Sequence, residues 1–111
     1  MYATYLVACL RGKLLDINML TISAKDFKEN LSALSLLDIR TPRERTDFDL
    51  GGIHIPLDEL LTQIQVLDLH ILYTVICYNG TQSQIACRLL TAKGYQAQNV
   101  TGGLEAYLSL A

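Results

Sequence analysis

The chain has 111 residues, half of them apolar, and a formal net charge of −2. That length makes one domain with a core, since a chain of this size buries roughly two thirds of its unfolded surface. The apolar content excludes a disordered chain, the slight acidity gives no argument for nucleic acid or a membrane surface, and three cysteines without paired spacing are not a disulfide framework.

Residues 1–20 are an N-terminal extension whose structure the pattern leaves open: a strand or helix packed on the domain, or the remnant of a preceding domain. Arg11 and Lys13 follow the apolar run from Tyr2 to Leu10 instead of preceding it, the wrong order for a secretory signal. The run is also too short to span a bilayer. Cys9 lies in it with no charged neighbour and reads as packing.

Residues 21–111 make the domain. Thr21-Ile22 opens it as a short strand. Ser23 then reads as an N-cap, with Asp26 three residues on, and the helix runs from Ala24 to Leu31 with Phe27 and Leu31 on one face. Leu36 to Ile39 is an apolar strand. Thr41-Pro42 starts a turn, Pro42 suits a first helical position, and Arg43 to Asp47 is a short helix. Gly51-Gly52 is a turn before a short strand, Ile53-His54-Ile55, in which His54 alternates with two isoleucines and reads as facing out. Leu57 to Val66 carries Leu57, Leu60, Leu61 and Ile64 at helical spacing, with Asp58 and Glu59 in the first turn. His70 reads as an exposed loop residue.

Tyr73 to Ile76 is a β-branched and aromatic run that favours a strand. From Ser83 onward, Ile85, Ala86, Leu89 and Leu90 recur at helical spacing. Cys77 sits between strand and helix, followed by a polar loop with Gly80 near its middle. This order puts the sulfur over a helix N-terminus, where unpaired N–H groups and the helix dipole favour an anion. A thiol held there loses its proton more readily, and the thiolate is the reactive form. Cys77 is therefore the candidate nucleophile; packing at a strand end is the plainer alternative. Lys93-Gly94 stops the helix, Gln98 to Val100 is a last strand, Thr101-Gly102-Gly103 a turn, and Leu104 to Leu110 a final helix. Alternating strands and helices predict an α/β fold, a small, mostly parallel central sheet with helices on both faces.

Three stretches carry a family resemblance. Cys77-Tyr78-Asn79-Gly80-Thr81-Gln82-Ser83 resembles the Cys-x-x-Gly-x-x-Ser active-site loop of rhodanese-like sulfurtransferases. Leu36-Leu37-Asp38-Ile39-Arg40-Thr41-Pro42-Arg43-Glu44 resembles that family's Asp-hydrophobic-Arg and Pro-x-Glu segment. Asn99-Val100-Thr101-Gly102-Gly103-Leu104-Glu105-Ala106-Tyr107 resembles its Gly-Gly signature, with Tyr107 where Trp is common. Pro56 also falls where the family places a Pro. The resemblance spans about residues 21–110, in register. It departs at Leu50-Gly51-Gly52, a shortened form of the usual Gly-His-Ile-Pro-Gly-Ala stretch, so no family role passes to His54.

The resemblance implies transfer of sulfane sulfur through a Cys77 persulfide, between a small-molecule or protein sulfur donor and a thiol acceptor. Backbone N–H groups of Tyr78, Asn79, Gly80, Thr81, Gln82 and Ser83 would hold the sulfur as an oxyanion hole holds oxygen. Gly80 would let the loop curl through positive φ, and Ser83 would cap the helix and give its hydroxyl to the site. Family members active on thiosulfate often carry Arg or Lys in this loop. Here Tyr78, Asn79, Thr81 and Gln82 are uncharged, which makes a persulfide the expected donor. Arg88 is the nearest downstream cation and reads as a solvated helix face. Asp38 and Arg40 are expected to pair near the site and support the fold. Cys87 reads as packing, with a resolving cysteine as the alternative.

Rival readings are weaker. A phosphatase of the related fold needs Cys-x5-Arg, and position 83 is Ser. A non-catalytic binding or regulatory module commonly lacks the Cys. A detached partner domain of a sulfur-carrier-activating enzyme finds faint support in Gly12-Lys13-Leu14-Leu15. No Cys-x-x-Cys or His-x-x-x-His pattern points to a metal. No cofactor is expected, and a reducing cytoplasm is the expected compartment.

Overall fold

The computed structural model describes residues 20–110. The N-terminal stretch before Leu20, with Cys9 and most of the expected extension, lies outside the described residues. The strands are β1 (Leu20–Ile22), β2 (Ser35–Asp38), β3 (Ile53–His54), β4 (Leu72–Ile76) and β5 (Gln96–Val100). The helices are α1 (Ala24–Glu29), α2 (Pro42–Asp47), α3 (Leu60–Gln63), α4 (Thr81–Ala92) and α5 (Gly103–Leu108). The five strands form one sheet in the order β1-β5-β4-β2-β3, and every pairing is parallel. The expected α/β sheet is present, with β4 in its centre.

Strand alternation divides the core in two. Tyr73, Val75 and Cys77 point to one face, where they pack with Leu60, Leu67, Ala86, Cys87 and Leu90 from the α3 and α4 side. Ile76 points to the other face and packs with Phe27 of α1, Leu104 of α5, Leu36 and Val100. There the Phe27 and Tyr107 rings meet edge to face, centroids 5.5 Å apart. Helices thus cover both faces, as a parallel sheet requires.

Local chemistry sets the helix ends. Ser23 Oγ accepts the Asp26 N–H at 3.0 Å, as its position predicts. Thr41 and Glu44 form a full capping box, with Pro42 in the first turn of α2. Helix α1 stops at Glu29, before the expected Leu31; Asn30 is its C-cap, and the Asn30 backbone and side-chain N–H groups both donate to the Asp26 carbonyl. A 3-10 turn, Leu31–Ala33, follows. The expected helix over Leu57 to Val66 is three short pieces: 3-10 turns at Leu57–Glu59 and Ile64–Val66 flank α3. No side chain caps these pieces; burial of Leu60, with Leu57 and Ile64 packed beside it, holds them to the sheet. β5 begins at Gln96, two residues before the expected start.

In α4 the buried stripe is Ser83, Ala86, Cys87 and Leu90. These positions follow i, i+3, i+4, i+7, one face of a helix. Ile85, part of the apolar pattern that marked the helix, is 47% exposed.

Candidate functional site

The site grows from the C-terminal end of β4. Cys77 follows that strand, and its sulfur turns back under the start of α4. Gly80 N–H donates to Cys77 Sγ at 3.2 Å, and Ser83 N–H donates to it at 3.3 Å. The Cys77 thiol in turn donates to Ser83 Oγ at 3.3 Å, and the Ser83 hydroxyl donates to Oδ1 of Asn99 on β5. Cys77, Ser83 and Asn99 are all buried.

Helix α4 starts at Thr81, two residues earlier than expected, with Gly80 as the preceding residue at φ +87. Only glycine adopts that φ without a Cβ penalty, so Gly80 turns the chain from the loop into the helix. Ser83 therefore lies in the first turn and does not cap the helix. Its hydroxyl is engaged by Cys77 and Asn99 instead. Thr81 N–H goes to the Asn79 side chain at 3.0 Å, which closes a local turn and takes that donor away from the sulfur. Of the expected cradle from Tyr78 to Ser83, the Gly80 and Ser83 N–H groups reach Sγ. Tyr78, Asn79, Thr81 and Gln82 have exposed side chains.

The Gly-Gly segment forms the floor of this loop. Leu104 N–H donates to the Cys77 carbonyl at 3.0 Å, and Glu105 N–H to the Tyr78 carbonyl at 2.7 Å. The first turn of α5 thus satisfies the carbonyls that the Cys77 loop leaves open. Close approach of the two backbones needs glycine: a Cβ on Gly103 would lie 2.6 Å from the Cys77 carbonyl oxygen.

Asp38 and Arg40 form the expected bidentate pair. Arg40 Nε donates to Asp38 Oδ1 at 3.0 Å and Nη2 to Oδ2 at 2.8 Å. Asp38 is fully buried and Arg40 nearly so. Arg40 also donates to the carbonyls of Glu44 and Phe48, which fastens α2 to the sheet. Asp38 is level with Ile76 in the β2–β4 register, beside the origin of the Cys77 loop. His54 corrects its expectation. It is half-buried, and its Nε2 lies 2.8 Å from the Arg40 carbonyl. A short strand at the sheet edge turns this ring onto the chain that follows β2, where it finds a backbone partner.

Cys87 lies buried in the same apolar cluster as Cys77. Burial pushes its thiol up to about 12, and the nearby Cys77 adds to the rise. Such a thiol is inert at neutral pH, which favours packing over a resolving role. A cavity of about 560 Å³ opens elsewhere, between Lys28, Leu31, Leu34, Leu36 and Leu50, and no residue of the Cys77 loop lines it. Among the described residues no group of three or more His, Cys, Asp or Glu side chains could hold a metal. Nor is any described helix long and apolar enough to cross a membrane.

Asn99 is the site residue that the sequence did not reveal. Its signal was faint: a poor strand former next to Val100, in the last expected strand. A model of the rhodanese-like domain matches residues 23–110. The chain belongs to the rhodanese-like family. YtwF of Bacillus subtilis, provisionally named a sulfurtransferase, is 30% identical over 90 residues, covering 78% of this chain and 87% of that protein. A rhodanese-related protein from Thermoplasma volcanium superposes with a TM-score of 0.75 at 32% identity, over 80% of this chain and 90% of that one. An NAD-dependent persulfide reductase from A. fulgidus superposes with a TM-score of 0.66 at 27% identity. That match covers 83% of this rhodanese-like chain and 16% of the reductase.

Proposed function

We propose that this rhodanese-like domain is a sulfurtransferase in which Cys77 carries the sulfur as a persulfide. The observation that carries the reading is the convergence of the Gly80 and Ser83 N–H groups on Cys77 Sγ. Two fixed donors favour a negative sulfur, each worth about 1.5–3 kcal/mol to a charged acceptor. The sulfur-related name of YtwF agrees with it.

In the proposed cycle Cys77 first gives its proton to solvent. The thiolate attacks the outer sulfur of a donor R–S–SH. A new bond forms to Sγ, the donor's S–S bond breaks, and R–S⁻ leaves with the electron pair. An acceptor thiolate R′–S⁻ then attacks the outer sulfur of Cys77–S–SH. The acceptor departs as R′–S–SH and the Cys77 thiolate returns, with no net oxidation. Tyr78, Asn79, Gly80, Thr81, Gln82 and Ser83 form the binding loop, while Asp38 and Arg40 support it through the end of β2. The preferred donor in this reading is a persulfide, because the exposed loop side chains carry no cation for the sulfonate end of thiosulfate. The name of the A. fulgidus reductase, a protein that acts on persulfides, is in keeping with that donor.

The test is steady-state sulfur transfer from a low-molecular-weight persulfide to a thiol acceptor. Activity is expected to vanish in Cys77→Ser and to survive in Cys87→Ser. Transfer by Cys77→Ser at the wild-type rate would overturn the assignment, and no transfer by the wild type would leave the domain a binding or regulatory module.

A further inference from the structure

We propose that Asn99 is a positioning residue that acts on Cys77 through the Ser83 hydroxyl, reversing a buried hydrogen-bond chain when the sulfur changes charge. The proposal rests on the reading of Cys77 as the sulfur carrier.

Three elements bring the chain together. Cys77 follows β4, Ser83 lies in the first turn of α4, and Asn99 is level with Val75 in the β4–β5 register. Their exposures are 2%, 0% and 2%. Cys77 Sγ donates to Ser83 Oγ, and Ser83 Oγ donates to Asn99 Oδ1. Protons thus point from the sulfur toward Asn99, the arrangement that suits a neutral thiol.

A serine hydroxyl has a single proton. Once Cys77 ionises, its sulfur can only accept, and the Ser83 proton would serve it as a third donor beside the two N–H groups. While Asn99 presents Oδ1, that proton is directed away. The amide carries its acceptor and its donors on one planar fork. A half-turn about its terminal torsion offers Nδ2–H to Ser83 Oγ and frees the Ser83 proton for the sulfur. All the directions in the chain then reverse, and the thiolate itself is the one charge added. When the sulfur takes on a second sulfur atom, the negative charge leaves with R–S⁻, and Sγ, now without charge or proton, no longer draws the Ser83 proton. An ionised aspartate at this position could only accept, and would hold the Ser83 proton away from Cys77.

The other titratable groups around the sulfur come from every neighbouring element. Cys87 and Arg88 are on α4, Glu105 on α5, Tyr73 on β4 and Tyr78 in the loop. Asp38 is on β2, paired with Arg40 just beyond it, and His54 is on β3. They are common to all the proteins compared, so differences in midpoint report the chain alone.

The experiment follows the ultraviolet absorbance of the Cys77 thiolate against pH in the full chain, with a matching Cys77→Ser protein subtracted. It compares wild type, Ser83→Ala, Asn99→Asp and the double variant, which forms a double-mutant cycle. Asn99→Asp is expected to raise the midpoint more with Ser83 present than in the Ser83→Ala background, by about one pH unit or tenfold in proton affinity. Equal shifts in the two backgrounds would mean direct charge repulsion and would overturn the relay. A second measurement needs no Asn99 variant. The side-chain amide resonances of Asn99 in the wild type should shift at the Cys77 midpoint, and the shift should disappear in Ser83→Ala. Resonances indifferent to Cys77 ionisation, or equally responsive without the hydroxyl, would refute the proposal. Neither readout is sulfur transfer, so a protein without turnover still tests the chain, and an active protein can still fail it.

Discussion

A Cβ placed on Gly103 would lie 2.6 Å from the amide nitrogen of Gly80, a separation that real Cβ contacts do not reach. The same atom would press on the carbonyl oxygens of Cys77 and Tyr78, and Gly103 itself sits at φ +62. Two loops far apart in sequence are therefore held together by the absence of a side chain. Gly103→Ala is expected to cost about 2–4 kcal/mol, overpacking and backbone strain combined. Gly51 has positive φ but open space around it, so Gly51→Ala should cost only about 1 kcal/mol. Chemical denaturation of both variants checks the difference. Equal losses would show that the close approach at Gly103 is unimportant.

The Asp38–Arg40 pair predicts an asymmetric response. Arg40→Met leaves a fully buried carboxylate without its cation and should destabilise the domain by about 3–5 kcal/mol. The double variant Asp38→Asn, Arg40→Met removes that orphan charge and should be the more stable of the two. Thermal unfolding in one buffer settles it. A double variant that loses the sum of the single losses would contradict this account.

Cys87 predicts a stability change in base. Its folded thiol is raised from 9.0 to about 12. Between these values the unfolded thiol ionises and the folded one does not, so the unfolded state binds fewer protons and stability falls as pH rises. Below about pH 9 the contribution is constant. Unfolding free energies across that window should decline more steeply in wild type than in Cys87→Ala. Parallel profiles would mean that the folded thiol ionises freely.

Much of this was legible from local pattern. The Tyr73–Ile76 run marked β4, and Cys77 with Gly80 marked the turn into α4. Ser23 and Thr41 marked helix starts through chemistry confined to one turn. Contacts across the chain were not legible. The fit of Gly103 against Gly80, the Asn99 side chain beneath Ser83 and the His54 ring on the Arg40 carbonyl join residues 14 to 23 positions apart, and no spacing rule announces them. The α4 pattern misled in detail for a related reason. Ile85 fits helical periodicity, but the face packed on the sheet is the one bearing Ser83, Ala86, Cys87 and Leu90.

The loop side chains predict donor preference. Tyr78 and Gln82 are exposed and uncharged beside Cys77. Replacing Gln82 with Arg adds a cation for a sulfonate, worth about 1.5–3 kcal/mol, or roughly tenfold to a hundredfold. Gln82→Arg should raise thiosulfate turnover by about that factor and leave persulfide turnover nearly unchanged. Fast thiosulfate turnover by the wild type, unaffected by the added Arg, would contradict the donor assignment.

The central claim is that Cys77 carries the transferred sulfur. Mass spectrometry of the intact protein and its peptides, after incubation with a low-molecular-weight persulfide and removal of the donor, tests it most directly. The account predicts a gain of one sulfur atom, located on the Cys77 peptide, released by an acceptor thiol and absent in Cys77→Ser. A gain located on Cys87, or one that persists in Cys77→Ser, would contradict it.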